Sequence, residues 1–160
     1  MSLMLANRYF IEGKDEWAIP CFMRHLDQHP EDRQAVLRLS CSLLRSGRAP
    51  EAERHLQAVA PSEPARIVLR LICLLLRDER HAWDFLKQHY KNAEWSSCWE
   101  SCPGWLQGVV EEVWERWRSS LPGTENRPMS FAEWIDAVFH SQSAGSQERQ
   151  KGFHSPEEGR

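Results

Sequence analysis

Residues 39–64 read LSCSLLRSGRAPEAERHLQAVAPSEP, and residues 5–30 read LANRYFIEGKDEWAIPCFMRHLDQHP. Offset by 34 positions, the two stretches match in size class. Leu5 falls on Leu39, Ala6 on Ser40, Tyr9 on Leu43, Gly13 on Gly47, Ala18 on Ala52, Phe22 on Leu56 and Pro30 on Pro64. A fixed period of this length signals stacked supersecondary units. Within a unit the spacing is helical: Leu39 and Leu43, four apart, share a face. Gly13 and Gly47 follow apolar runs, where positive φ ends a helix cheaply. Ala18 and Ala52 leave room for two helices to cross closely, and Pro30 and Pro64 help set the start of the next unit. One hairpin cannot bury its apolar face alone, so the units must stack.

The pattern resembles the tetratricopeptide repeat (TPR) family, whose order is large, apolar, small, large, glycine, alanine, aromatic, proline. Leu5, Ala6, Tyr9, Gly13, Ala18, Phe22 and Pro30 fill it once; Val36, Leu39, Ser40, Leu43, Gly47, Ala52 and Leu56 fill it again. The resemblance implies an all-α, right-handed solenoid with a concave groove that takes a partner's peptide or helix. By that register the groove is lined by Leu3, Asn7 and Phe10 or Ile11, then by Gln34, Leu37, Cys41 and Arg45. One TPR subgroup clamps a terminal carboxylate with a lysine and two asparagines. Asn7 fits, but Leu3 and Cys41 stand at the other two positions, so the clamp is not present. The groove that remains suits an apolar segment or amphipathic helix. The register predicts that Leu37→Glu abolishes partner capture in a folded protein, and that Arg45→Glu, at the rim, weakens it mildly. Small bacterial type III secretion chaperones resemble this chain in size, acidity and apolar third hairpin.

A third, degenerate unit has apolar residues 65–77 as its first helix and residues 81–90 as its second, joined by Asp78–Arg80. Its first helix is apolar nearly all round, so it needs cover on both sides. Residues 1–90 thus form the repeats, residues 91–140 a C-terminal group of capping helices, and residues 141–160 a disordered tail low in apolar side chains. In the second region Asn92 is placed to cap a helix through Trp99. Trp105 to Ser119 is helical, and Leu121–Pro128 is a loop. Ser130 to Glu133 has capping-box spacing for a last helix to about His140. Pro20 falls inside a helix beginning at Asp15, which predicts a late start or a kink. No segment alternates with period two, so no sheet is expected.

The 160 residues are 41% hydrophobic and 27% charged, with net charge −3. That composition is globular, and it lacks the concentrated basic surface nucleic acid requires. The apolar run Leu71–Leu76 is too short to cross a membrane, and the N-terminus lacks the basic region of a signal peptide. Five cysteines at irregular spacing argue against a disulfide framework, so a cytoplasmic protein is expected.

Cys98 and Cys102, four apart, could share a metal only with further ligands such as His81 and His89, and structural zinc sites favour tighter spacing. Neither a metal nor another cofactor is expected. Nothing selects a Cys/His nucleophile pair, and no phosphate-cradling glycine loop is present, so the chain reads as non-enzymatic. Arg66, Arg70, Arg77 and Arg80 form either an anion contact or a solvated face. Trp95, Trp99, Trp105, Trp114, Trp117 and Trp134 crowd the last third. Trp-rich segments both seal solenoid ends and bind partners, which makes Trp95, Trp99, Trp105, Trp114 and Trp117 a second candidate partner surface. The expected function is a protein-binding scaffold or chaperone. The alternative is an enzyme or regulatory domain in residues 91–140, docked through the repeats.

Overall fold

The computed structural model describes residues 2–89, 92–120 and 129–137. These residues contain nine helices and no strand. They are α1 (Ser2–Ile11), α2 (Asp15–Gln28), α3 (Arg33–Arg45), α4 (Ala49–Leu56), α5 (Pro64–Arg77), α6 (Glu79–His89), α7 (Asn92–Ser101), α8 (Gly104–Ser119) and α9 (131–137).

Two turns fix the period. Gly13 and Gly47 have φ of 74° and 76°. After α1, Gly13 N–H donates to Phe10 O and Lys14 N–H to Tyr9 O, at 3.1 and 2.8 Å. After α3, Gly47 N–H donates to Leu44 O and Arg48 N–H to Leu43 O, again at 3.1 and 2.8 Å. Both are Schellman endings, which satisfy carbonyls that a helix terminus leaves open. A Cβ at either glycine would touch nothing within 4 Å, so the backbone angle rather than space selects glycine. Asp32 starts α3, its carboxylate accepting from Ala35 N–H at 3.2 Å. Pro50 and Pro64 sit in the first turns of α4 and α5, where a missing N–H costs nothing.

Consecutive helices pack on one another from α1 to α6, and α3 also touches α1 and α5. α1, α3 and α5 therefore form one layer, with α2, α4 and α6 behind it. Ala18 and Ala52 are fully buried at the crossings, as their size requires. α5 has neighbours on all sides, namely α3, α4, α6, α7 and α8. This explains its unbroken apolar run: Val68, Leu69, Leu71 and Ile72 are all inaccessible, and each such side chain contributes about 1.5–3 kcal/mol on burial. α8 lies against α3 and α5, on the layer formed by α1, α3 and α5. One continuous core runs from Ala6 to Ile135.

Several boundaries differ from expectation. α2 begins at Asp15 and continues through Pro20, so its start is not late. Pro20 and Glu16 are both exposed, so the Glu16 carbonyl that Pro20 cannot serve lies on the wet side of the helix. α6 begins at Glu79, and Asp78 alone links it to α5: the Asp78 carboxylate accepts from Arg80 N–H at 2.9 Å and pairs with His81 at 2.7 Å. α7 runs from Asn92 to Ser101, two residues past the expected end at Trp99. The expected loop at 121–128, residues 138–140 of the last helix and the expected tail lie outside the described residues.

Candidate functional site

The residues expected to line a groove are brought together, but most are covered. Phe10, Leu37 and Cys41 are buried, with Leu37 only 1% exposed. Leu3 and Asn7 are half-buried, Gln34 is exposed, and Ile11, the alternative to Phe10, is 81% exposed. The cover includes the chain's own α8. The Trp105 ring meets Phe10 edge to face at 5.6 Å, and the Arg38 guanidinium lies over Trp105 at 5.3 Å. Arg38 also donates to Asn7 Oδ1 at 3.0 Å, so Asn7 is held by the chain itself. Farther along α8, Arg116 donates to Arg45 O at 2.6 Å, a cation at the last turn of α3 where the helix dipole favours one.

Arg45 is not a rim residue. Its side chain is 11% exposed and bonds Asp15 Oδ1 at 2.7 Å; it also donates to Phe10 O at 3.0 Å and stacks on the Phe10 ring at 4.6 Å. It ties α3 to the end of α1 and the start of α2. Leu37 and Arg45, expected to face a partner, are thus packed against the chain's own residues.

The tryptophans divide into two groups. Trp105 belongs to the contact just described. Trp95, Trp99, Trp114 and Trp134 gather round Phe131 of α9, with ring centroids 6.2, 5.5, 5.9 and 6.2 Å from it. Trp117 packs on Trp114 at 5.4 Å. Trp95 and Trp114 are almost wholly buried, while Trp99 and Trp117 are half-buried. Trp114 Nε1–H donates to Met129 O at 2.6 Å, the polar partner a buried indole needs. Glu111 of α8 accepts from Phe131 N–H at 2.8 Å and Ala132 N–H at 3.4 Å, and Ser130 Oγ accepts from Glu133 N–H at 3.1 Å. Two side chains from different segments thus start α9 and lock Phe131 into the aromatic cluster.

Other candidate chemistry is absorbed into structure. Burial pushes the Cys73 and Cys102 thiols up to about 12 and raises Cys41 further, which suppresses the thiolate needed for nucleophilic or metal chemistry. Cys98 is raised by burial as well. Among the described residues no cluster of three or more His, Cys, Asp or Glu could hold a metal ion, and no helix is long and apolar enough to cross a membrane. Arg66 donates to Val59 O, Arg70 stacks on Phe85 at 5.4 Å, and Arg77 pairs with Glu53 at 2.9 Å. These arginines knit α5 to its neighbours, and Arg80 is exposed.

What remains outward is concentrated elsewhere. Among the described residues the exposed large apolar side chains are Met4 (79%), Leu5, Ile11, Trp17 (58%) and Met23, all in α1 and α2. Apart from Ile11, none of these was picked out as a site residue from the sequence. The signal lies in the repeat register: Leu39 and Leu43 are fully buried, whereas their counterparts Leu5 and Tyr9 in the first hairpin are exposed and half-buried. Comparison with protein-family models, curated proteins and solved structures finds no match.

Proposed function

We propose that this chain is a non-catalytic protein-binding scaffold of TPR type. It is a short right-handed solenoid whose inner face is closed by its own Trp-rich helices, and it docks partners through the outer face of its first hairpin. Support for the repeat reading comes from the paired Schellman turns, 34 residues apart, and from the fully buried alanines at equivalent crossings. The observation that carries the docking reading is that, among the described residues, the exposed large apolar side chains lie in α1 and α2. Single exposed apolar residues are ordinary, but a concentration on one hairpin is how interaction surfaces are built. The packing of α8 on α3 and α5 favours such a scaffold over a chaperone that holds a client in its groove. The free thiols fit the reducing cytoplasm.

The test is to immobilise the wild type and an Ile11→Ser/Trp17→Ser variant side by side. Both should give the same circular dichroism and melting temperature, because both side chains are mostly in water. Proteins retained by the wild type and lost by the variant support the reading. Identical retention on both would move docking off this hairpin.

A further inference from the structure

The outer face of α2 has a pattern that points to one particular occupant. Trp17, Cys21, Arg24 and Gln28 are spaced i, i+4, i+7, i+11, which places them in one stripe along the helix. Trp17, Arg24 and Gln28 are exposed and Cys21 is half-exposed. Trp17 touches Tyr9 of α1, with centroids 6.1 Å apart, so the stripe is continuous with the side of α1 that carries Leu5 and Tyr9. Leu5 and Tyr9 hold the register positions that, in the second unit, are buried as Leu39 and Leu43. The chemistry suited to this face is therefore another helix.

We propose, resting on the docking role of the first hairpin, that the partner at this face is a second copy of the chain, with α2 packed antiparallel on α2 about a twofold axis near Pro20 and Cys21. An antiparallel twofold brings residue i against residue 41 − i when the axis lies between Pro20 and Cys21. Trp17 then meets Arg24 of the partner copy, and Arg24 meets its Trp17, two cation–π contacts from one stripe. A parallel pairing would set Arg24 against Arg24 and lose both. The antiparallel arrangement also opposes the two helix dipoles favourably. Among the described residues no ion pair engages the Arg24 guanidinium, so it is available to the ring. Nearby charges are mixed in sign, with Arg8, Lys14 and Arg24 against Glu12, Glu16 and Asp27, and such a surface does not repel its own copy. An isologous interface requires this self-complementarity.

The experiment is light scattering on the full chain from micromolar to millimolar concentration, with a short bis-maleimide as cross-linker. The expected result is a concentration-dependent mass approaching twice the 18.7 kDa of one chain. Cross-linking should trap that species through Cys21 and fail in Cys21→Ser. Trp17→Ser should weaken the dimer at least about tenfold, as loss of a central aromatic contact does, and Arg24→Glu should do likewise. Both variants are checked for wild-type circular dichroism, and Arg24→Glu serves if Trp17→Ser perturbs the fold. A dimer that persists in both folded variants and is not trapped through Cys21 overturns the proposal, because another face then makes it. A chain that stays monomeric throughout also overturns it. The docking role is judged separately, by whether Ile11→Ser/Trp17→Ser loses other proteins on the immobilised chain.

Discussion

Arg45 joins three pieces of backbone at once. It pairs with Asp15 at the start of α2, donates to the Phe10 carbonyl at the end of α1, and stacks on the Phe10 ring. Asp15 is as enclosed as Arg45, at 13% side-chain exposure, so neither charge has water to fall back on. Breaking such a pair from one side costs about 3 kcal/mol, because the remaining charge stays unpaired. Arg45→Glu should therefore lower the urea midpoint sharply with an unchanged slope, and Arg45→Glu with Asp15→Arg should recover part of the loss. Leu37→Glu should fail to fold, since it drives a carboxylate into a site 1% exposed. Ser42 is the opposite case. Its Oγ is buried with no hydrogen-bond partner among the described residues, so Ser42→Ala should stabilise the chain by about 1 kcal/mol, read as a raised urea midpoint. The sequence gives no warning of these environments. Position in the repeat names the face of α3 on which Leu37 and Arg45 lie, but not what covers that face.

Helix ends were the most legible feature in the sequence, because their chemistry is local. Gly13 and Gly47 end their helices as the repeat predicts, and Ser130 caps α9 as its spacing from Glu133 predicts. Gly47→Val forces a β-branched residue to positive φ, which should cost at least about 1 kcal/mol although the space around Gly47 is open. An unchanged denaturation midpoint would mean that the turn relaxes. The start of α3 is sensitive to pH through Asp32. Burial acts to raise this carboxyl, but the hydrogen bonds from His25 at 2.8 Å and from Ala35 N–H outweigh it and hold it below the ordinary aspartate value. A group lowered on folding adds stability above its unfolded value and loses it as pH falls through the folded one. Wild type should exceed Asp32→Ala in stability at pH 5, and the gap should close below about pH 4, the unfolded aspartate range. Where a boundary rests on distant contacts the sequence is silent. Pro20 is tolerated because its side of α2 is wet, and Glu111 reaches α9 from α8 across a gap of twenty residues.

At the scale of the whole molecule, α8 decides whether the repeats and the C-terminal helices are one body or two. The sequence shows a loss of period after residue 90 and suggests a seam there. It does not show where the later helices go, because a helix with a stripe at i, i+4, i+7, i+11 can pack on any apolar face. In the structure α8 returns to α3 and α5, far back in the chain, and a single core spans both regions. Trp105 is the contact to remove. Its ring closes on Phe10 of α1 and lies under Arg38 of α3, which also holds Asn7, so two helices of the repeats converge on one side chain. Trp105→Ala should cost about 3–5 kcal/mol, the range for truncating a large aromatic residue in a core. Trp105 is half-buried, which argues for the lower end. Where the loss appears distinguishes one body from two. If α8 binds the repeats into one cooperative unit, far-ultraviolet circular dichroism and tryptophan emission fall together at a single midpoint in both wild type and Trp105→Ala, lower in the variant. If the regions are independent, Trp105→Ala separates the two signals, with helicity lost in two steps and the indole emission following only one of them.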